Sequence, residues 1–349
     1  MKQRIMVFVF VISTMLACSV GPIFNHDEAT ETSQEITTHP ELPPQNPGED
    51  TAQTADDTSG PALAVANPIA FVAVAWCVPG SGREILSMQP DGSNIVCLTK
   101  TRGEDNEPNW SDDGQKIVFI SDRNGGRDIY LMNPDGSDQQ QITFTEAEEF
   151  YPAFSPDGTS IVYTVPEEST HHLETMDLNT GEVSIVEFEK IKASSCIYPD
   201  WSPDGQWLLF SCFGGGQAGI YKSHPNGSDL QLLQAGPLHY PVWSPDGKMI
   251  ALDGEPAGCK FEVYVMNADG SGMRQVTEHP EGCGGYNKHP AWSPDGKKLI
   301  YSSYRMYDGK NGAELFSINL DGSDETQLTF SYQDDLFNSP LYPVWSLTR

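Results

Sequence analysis

Residues 199 to 205 read Pro-Asp-Trp-Ser-Pro-Asp-Gly, and that phrase recurs along the chain. It returns as Pro108-Asn-Trp110-Ser-Asp-Asp-Gly114, Pro152-Ala-Phe154-Ser-Pro-Asp-Gly158, Pro241-Val-Trp243-Ser-Pro-Asp-Gly247 and Pro290-Ala-Trp292-Ser-Pro-Asp-Gly296. A sixth copy, Pro343-Val-Trp345-Ser346, stands near the end of the 349 residues. The successive prolines lie 44, 47, 42, 49 and 53 residues apart, close to the length of a four-stranded propeller blade. Ser-Pro-Asp-Gly is a tight turn, because Pro presets φ at the second position and Gly accepts a positive φ at the fourth.

Working outward from the turn, each period has the grammar of four antiparallel strands. Strand A is the Pro-x-Trp-Ser segment, and strand B is a short apolar run such as Ile117–Ile120 or Trp207–Phe210. A variable loop leads to strand C, as in Asp128–Met132 and Glu262–Met266. A second turn such as Asn133-Pro-Asp-Gly-Ser137 then leads to strand D, which often ends in an aliphatic residue and Thr, as at Leu98-Thr99 and Val276-Thr277. Five repeats are complete. Residues 69–99 supply B, C and D without an A, while 343–346 supply an A with nothing after it. The expected fold is therefore all-β, a six-bladed propeller closed by the C-terminal strand joining the first blade, which leaves no free sheet edge.

The turn, the Trp and the Asp-Gly-Ser motif recur together and in order over residues 68–346, and in this the chain resembles the WD40-like repeats of the TolB-like beta-propeller family. Ser121-Asp-Arg-Asn-Gly125 followed by Ile129-Tyr130 is similar to the family's central signature. TolB carries a separate α/β domain before its propeller, where this chain has only a tether. The resemblance accordingly implies the fold and the habit of binding proteins at the propeller.

The N-terminal residues have another character. Lys2 and Arg4 precede an apolar run from Ile5 to Ala17, too short to span a bilayer and fitting a secretory signal. Met15-Leu16-Ala17-Cys18 resembles a bacterial lipobox, so residues 1–18 are expected to be a lipoprotein signal peptide with Cys18 as the lipidated residue. Residues 19–62 hold no Lys or Arg, nine acids and six Pro, a composition that does not bury enough apolar surface to fold. They are expected to be a disordered tether reaching about 35–40 Å, which leaves 63–349 as the propeller. The implied location is the bacterial cell envelope, periplasmic or outer surface, with membrane contact through the lipid alone.

Twenty Lys and Arg against 49 Asp and Glu give a net charge of −29. That balance excludes a phosphate-neutralising surface for nucleic acid and a polybasic grip on anionic lipid. Residues 63–349 alone carry 18 basic and 40 acidic residues, which favours a basic partner through electrostatic steering of a monomeric domain. With Cys18 set aside, six cysteines remain, and none has the CxxC spacing of a metal or redox site. Cys196 and Cys212 each lie eight residues from Asp204, so a regular hairpin sets them opposite each other. Cys259 and Cys283 fall in loops on the same face of blade five and form a second candidate pair. Cys77 and Cys97 are expected on strands B and D with C between them, too far apart in a regular sheet.

An aromatic at one place in every blade is expected to fill the space between blades: Trp110, Phe154, Trp201, Trp243, Trp292 and Trp345. Much of the acidity is turn chemistry, in which Asp bonds its own backbone. Asp122–Asp128 echoes the start of a calcium loop, but Asn133 stands at its twelfth position, so no metal and no cofactor is expected. One face of the ring carries only tight turns. The other carries long loops at 211–219, 253–260, 277–288, 302–313 and 329–341, where binding sites sit by preference.

The residue before each strand-A Pro is expected at the mouth of the central channel on that loop face. The six are Glu107, Tyr151, Tyr198, Tyr240, His289 and Tyr342, read either as the rim of a ligand site or as caps on the inter-blade packing. No Gly-x-Ser-x-Gly occurs and no residues remain for a hydrolase domain. The expected function is non-enzymatic binding of an envelope protein or peptide through the loop-face funnel. The alternative is a polysaccharide-binding protein or a lyase, with His289 or a Tyr as base and Glu107 or a metal as electrostatic partner. His171, His172, His239, His279 and His289 also map to this face, without ligand spacing.

Overall fold

A computed structural model describes residues 67–347 apart from 76, 78–81, 189–190, 192–193, 215–216, 256–260, 279–284, 308–309 and 332–336. Cys18, the tether, Cys259 and Cys283 lie outside the described residues. Blade one joins β1 (Ile69–Ala75), β2 (Arg83–Met88) and β3 (Val96–Cys97) to β24 (Phe337–Trp345). Blade two is β4 (Asp105–Trp110), β5 (Ile117–Ser121), β6 (Asp128–Met132) and β7 (Gln140–Gln141). Blade three is β8 (Phe150–Phe154), β9 (Ser160–Pro166), β10 (His171–Asp177) and β11 (Val183–Ile185). Blade four is β12 (Ser194–Trp201), β13 (Leu208–Gly214), β14 (Gly219–Ser223) and β15 (Gln231–Ala235). Blade five is β16 (Leu238–Trp243), β17 (Met249–Gly254), β18 (Glu262–Asn267) and β19 (Arg274–Gln275). Blade six is β20 (Tyr286–Trp292), β21 (Lys298–Tyr307), β22 (Lys310–Asn319) and β23 (Thr326–Gln327). All six sheets are antiparallel and the ring closes as the repeat arithmetic requires. Trp345 pairs with Ile69 across β24 and β1, in the register that Trp110 keeps with Ile117.

Strand B supplies the densest part of the core, with Ile117, Val118 and Phe119 wholly buried. The apolar clusters straddle neighbouring blades. Trp110 packs with Ile85 and Leu98 of blade one, and Phe154 with Val118 and Ile120 of blade two. Trp243 reaches Leu209 and Ile220, and Trp292 reaches Ala251 and Val263. Trp201 and Trp345 sit half-buried at the two remaining boundaries. The turns behave as local chemistry requires: in blade four, Ser202 Oγ and the Gln206 N–H both donate to Asp204 Oδ1, at 2.6 and 3.0 Å. Those donors hold the Asp204 carboxyl below its ordinary value. Gly136 has φ +80°, and a Cβ there would lie 2.4 Å from the Leu98 carbonyl oxygen of the preceding blade, so the second turn needs glycine for contact as well as for conformation.

Three local expectations differ from the structure. Strand D is only two residues long in four blades, and the aliphatic-Thr pair follows it. The Thr replaces a ladder bond with its side chain: Thr99 Oγ1 accepts from the Ile85 N–H at 2.9 Å, and Thr143, Thr277 and Thr329 act alike. Parts of the segments read as loops continue the sheets. In blade six the ladder extends to Tyr307 opposite Lys310, since pairing satisfies backbone groups that a loop would leave to water.

The third difference concerns Cys77 and Cys97, which are bonded to each other with Cα atoms 6.2 Å apart. Strand β1 ends at Ala75, so Cys77 is outside the ladder and free to fold back over β2, which a regular sheet would forbid. Cys196 and Cys212 face each other in register and form the second disulfide, with Cα atoms 4.2 Å apart. Replacing both Cys196 and Cys212 by Ala is expected to lower stability by about 3 kcal/mol, from the regained entropy of the open loop. Urea unfolding under non-reducing conditions measures it, and an unchanged midpoint would refute the expectation.

Candidate functional site

The six residues before the strand-A prolines have left-handed backbone, with φ of +54° at Glu107, +53° at Tyr151, +59° at Tyr198, +47° at Tyr240, +56° at His289 and +49° at Tyr342. None is Gly, and such a conformation is costly for a large side chain. The cause is a bulge repeated in every innermost strand: the register with strand B shifts between Asn106 and Asn109, between Ile197 and Asp200, and at the matching places in the other blades. The Pro that follows has no N–H to orphan, so the ladder can be broken there at little further cost. A bulge re-aims its residue, and here it sends six side chains toward the axis.

These residues lie inside the strand and not at its start. Tyr198 is the fifth residue of β12 and Tyr342 the sixth of β24. The expected open rim is therefore a packed constriction. Tyr198 stacks on Tyr240 at 3.7 Å between centroids, and Tyr240 also meets Tyr151 at 5.7 Å, His289 at 4.3 Å and Tyr342 at 5.9 Å. Tyr151–Tyr198 and His289–Tyr342 close the circuit at 4.5 and 4.3 Å. Tyr240 thus lies across the axis, leaving a cavity of about 100 Å³ among these side chains and their prolines. On the turn side the channel widens to about 490 Å³, walled by the repeat aromatics and edged by Asp112 and Asp200. The sequence reading did not foresee that second mouth. Its signal was present, since Asp112 replaces the Pro of Ser-Pro-Asp-Gly and Asp200 occupies a position that is Ala or Val in four other blades.

Three carboxylates tie neighbouring blades together around the constriction. Glu107 Oε2 accepts the Tyr151 N–H at 2.6 Å, Asp200 Oδ2 the Trp243 N–H at 2.7 Å, and Asp253 Oδ2 the His289 N–H at 2.8 Å. Burial pushes each of the three up to about 7, against the pull of the bonded N–H. Burial also drives His289 down to about 3 and His239 down to about 4, with the Lys288 charge adding to both. The phenols of Tyr151, Tyr240 and Tyr342 are raised by burial, and Tyr198 to about 12. Around neutral pH the site is a ring of neutral phenols and a neutral imidazole. His289 Nδ1 and Asp253 Oδ1 are buried there without a hydrogen-bond partner.

Residues beyond the six contribute. His239 stacks on Phe213 at 4.8 Å and lies 5.4 Å from Phe261, extending the aromatic surface outward over blades four and five. Arg83, at the start of β2, and Arg127, just before β6, act on Glu107. Lys288 lies over the ring of Phe261 at 3.4 Å. His171 and His172 are remote from the axis, held by Ser195 at 2.7 Å and Glu174 at 3.0 Å. The sequence reading also missed a buried Glu–Thr pair: Thr99 donates to Glu84 and Thr277 to Glu262 at 2.7 Å, and Thr329 to Glu314 at 2.5 Å. Its signal was a Glu opening strand C and a Thr closing the repeat at one separation, 15 residues, in three blades. Among the described residues, no cluster of three or more His, Cys, Asp or Glu could hold a metal ion.

Among solved structures, TolB from Acinetobacter baumannii superposes with a TM-score of 0.66 at 22% identity, over 81% of this chain and 67% of that one. A TolB-type protein from Agrobacterium tumefaciens gives 0.58 at 18% identity, over 78% and 90%. Hydrazine synthase from Kuenenia stuttgartiensis gives 0.63 at 15% identity, over 83% and 48%. At these identities the likeness is one of fold. No curated protein matches the sequence. The family model of the TolB beta propeller domain matches residues 72–200 and 189–346. With the repeats, the closure and the solved structures in agreement, the chain belongs to the TolB beta propeller domain family.

Proposed function

We propose that the chain is a non-enzymatic lipoprotein of the cell envelope, anchored through Cys18, whose propeller binds a protein or peptide partner on the loop face at the mouth of the central channel. The observation that carries this reading is the ring of six left-handed residues. A backbone departure repeated in every blade and converging on one spot is the pattern in which strain is retained for a site, and the loops around it are displayed on a rigid scaffold. Two disulfides suit an exported protein. The electrostatics weigh against a lyase. A general base works best near the operating pH, whereas the phenols are pushed up and His289 down. Glu107 titrates near 7 but is bonded to the Tyr151 N–H.

Cross-linking and pull-down from membranes tests the reading, with a Tyr151→Ala, Tyr198→Ala, Tyr240→Ala variant beside the wild type and a Phe213→Ser, Phe261→Ser variant that spares the ring. We expect the same envelope protein to be captured by the wild type and lost from both variants. No specific protein captured by the folded wild type would end the reading. Cys18→Ser is expected to release the protein from the membrane fraction, and retention would refute the anchor.

A further inference from the structure

Among the described residues, five Lys and Arg side chains of this acidic propeller, Lys116, Arg123, Lys248, Lys297 and Arg305, have a carboxylate within ion-pair distance. Three half-buried cations beside the channel mouth do not. Arg83 makes one hydrogen bond, at 3.5 Å to Asn106 Oδ1. Arg127 lies 5.0 Å over Phe150, and Lys288 lies over Phe261 at 3.4 Å and Tyr286 at 5.0 Å. Among the described residues none of the three has a carboxylate partner within ion-pair distance. Their positions follow from topology, since Arg83 and Arg127 stand where strand C leaves the loop face, and Lys288 stands in the first half of an innermost strand. Arg83 and Arg127 act on Glu107, and Lys288 on Asp253, from beyond ion-pair distance, so all three keep unused hydrogen-bond donors. Lys222 and Lys298 are likewise half-buried without an ion pair among the described residues, but they stand away from this mouth.

We propose that the loop-face mouth is a receptor for carboxylates on an acidic peptide segment, with Arg83 and Arg127 gripping one carboxylate and Lys288 a second across the ring. This rests on the partner-binding reading above and names the chemistry of the partner. Guanidinium groups present the fork that a carboxylate fits, and the ammonium acts as a point charge. A peptide is favoured over an acidic glycan because the nearby aromatic faces are already covered. Tyr286 stacks on Tyr304 at 5.0 Å, Phe213 on His239 at 4.8 Å, and Lys288 covers Phe261. A sugar ring needs an open face to stack on. The local charge thus opposes the bulk charge. The net acidity repels an acidic peptide at long range and is screened by salt more strongly than contacts at the half-buried cations. Adding salt should therefore speed association, the reverse of what a basic partner would show.

The test is fluorescence anisotropy on the full chain with a labelled peptide of sequence Gly-Glu-Ser-Glu-Gly and its Gln-for-Glu counterpart. Arg83→Gln with Arg127→Gln is expected to weaken the Glu peptide by about ten-fold or more, and Lys288→Met by several-fold. Lys222→Gln and Lys298→Gln, which remove half-buried cations elsewhere, should change it less than about two-fold. Equal binding of the Gln peptide, or equal losses in the Lys222 and Lys298 variants, would overturn the proposal. So would binding of trigalacturonate in place of the Glu peptide. If the Arg83, Arg127 variant still captures the envelope partner in the pull-down, this proposal fails while the partner-binding reading stands.

Discussion

Deleting residues 337 to 349 should yield a chain that no longer unfolds cooperatively and that associates through blade one. The deletion removes β24, whose ladder with β1 runs from Ala75–Phe337 to Ile69–Trp345. It also takes Trp345 from the core cluster that holds Ile69, Phe71, Ile300 and Leu315, and Tyr342 from the ring. Loss of one large aromatic from such a cluster costs about 3–5 kcal/mol, and the exposed edge of β1 adds a template for pairing between chains. Against a typical total of about 5–15 kcal/mol, the ring is not expected to survive. Near-UV circular dichroism and size-exclusion chromatography provide the measurement. A monomer with a native spectrum would show that closure is dispensable. A rescue is available, because Trp345 and Ile69 keep the register of Trp243 and Ile250. Placing residues 337–346 before Asn67, joined by a Ser-Pro-Asp-Gly turn, should restore cooperativity by making blade one an ordinary repeat.

Thermal stability should rise as pH falls from 8 toward 6.5. Glu107, Asp200 and Asp253 titrate near 7 in the fold, raised by burial, and near 4 in the unfolded chain. The folded state therefore binds more protons across that window. The corresponding stability is present at low pH and is lost as pH rises through about 7. Each tenfold gain in proton affinity on folding is worth about 1.4 kcal/mol, so the buried Asp253 and the half-buried Glu107 and Asp200 together amount to several kcal/mol. Glu84 and Glu149, also buried and pushed up to about 7, add to the same rise. The histidines act in the opposite sense. His239 and His289 sit near 4 and 3 in the fold, so below about 6.5 the unfolded chain takes up two protons that the fold refuses. The rise in melting temperature should start shallow at pH 8 and steepen through pH 7, and below about 6.5 the histidines should keep the steep limb from steepening further. Asp253→Asn, which keeps an acceptor for the His289 N–H, should stabilise the protein at pH 8 and flatten the steep limb. A melting temperature that falls between pH 8 and 6.5 would contradict the assignment.

The blades were legible because their determinants are local. Pro, Asp and Gly in one turn, an aromatic before it and an apolar run after it decide a hairpin without help from distant residues, and five copies of that hairpin with a sixth split between the two ends leave a ring as the arrangement that buries every face. The Cys196–Cys212 bond was legible for the same reason, as two positions at equal distance from one turn. What stayed hidden depends on how blades meet. Cys77 pairs with Cys97 because a strand stops two residues short of the cysteine, and the extent of pairing is a tertiary outcome. The six pre-proline residues could be picked out from the sequence, but their left-handed backbone and the way Tyr240 closes the channel follow from a bulge that six innermost strands share around one axis. The cations at the mouth were masked by composition, since a chain with a net charge of −29 reads as uniformly acidic. The repeat alone determined the fold, because each blade's turn and strand chemistry is complete within about 40–50 residues. Only the assembled ring decided which charges face one another across the axis and which are left without a partner, because electrostatic partners are chosen by distance in space and not by order along the chain.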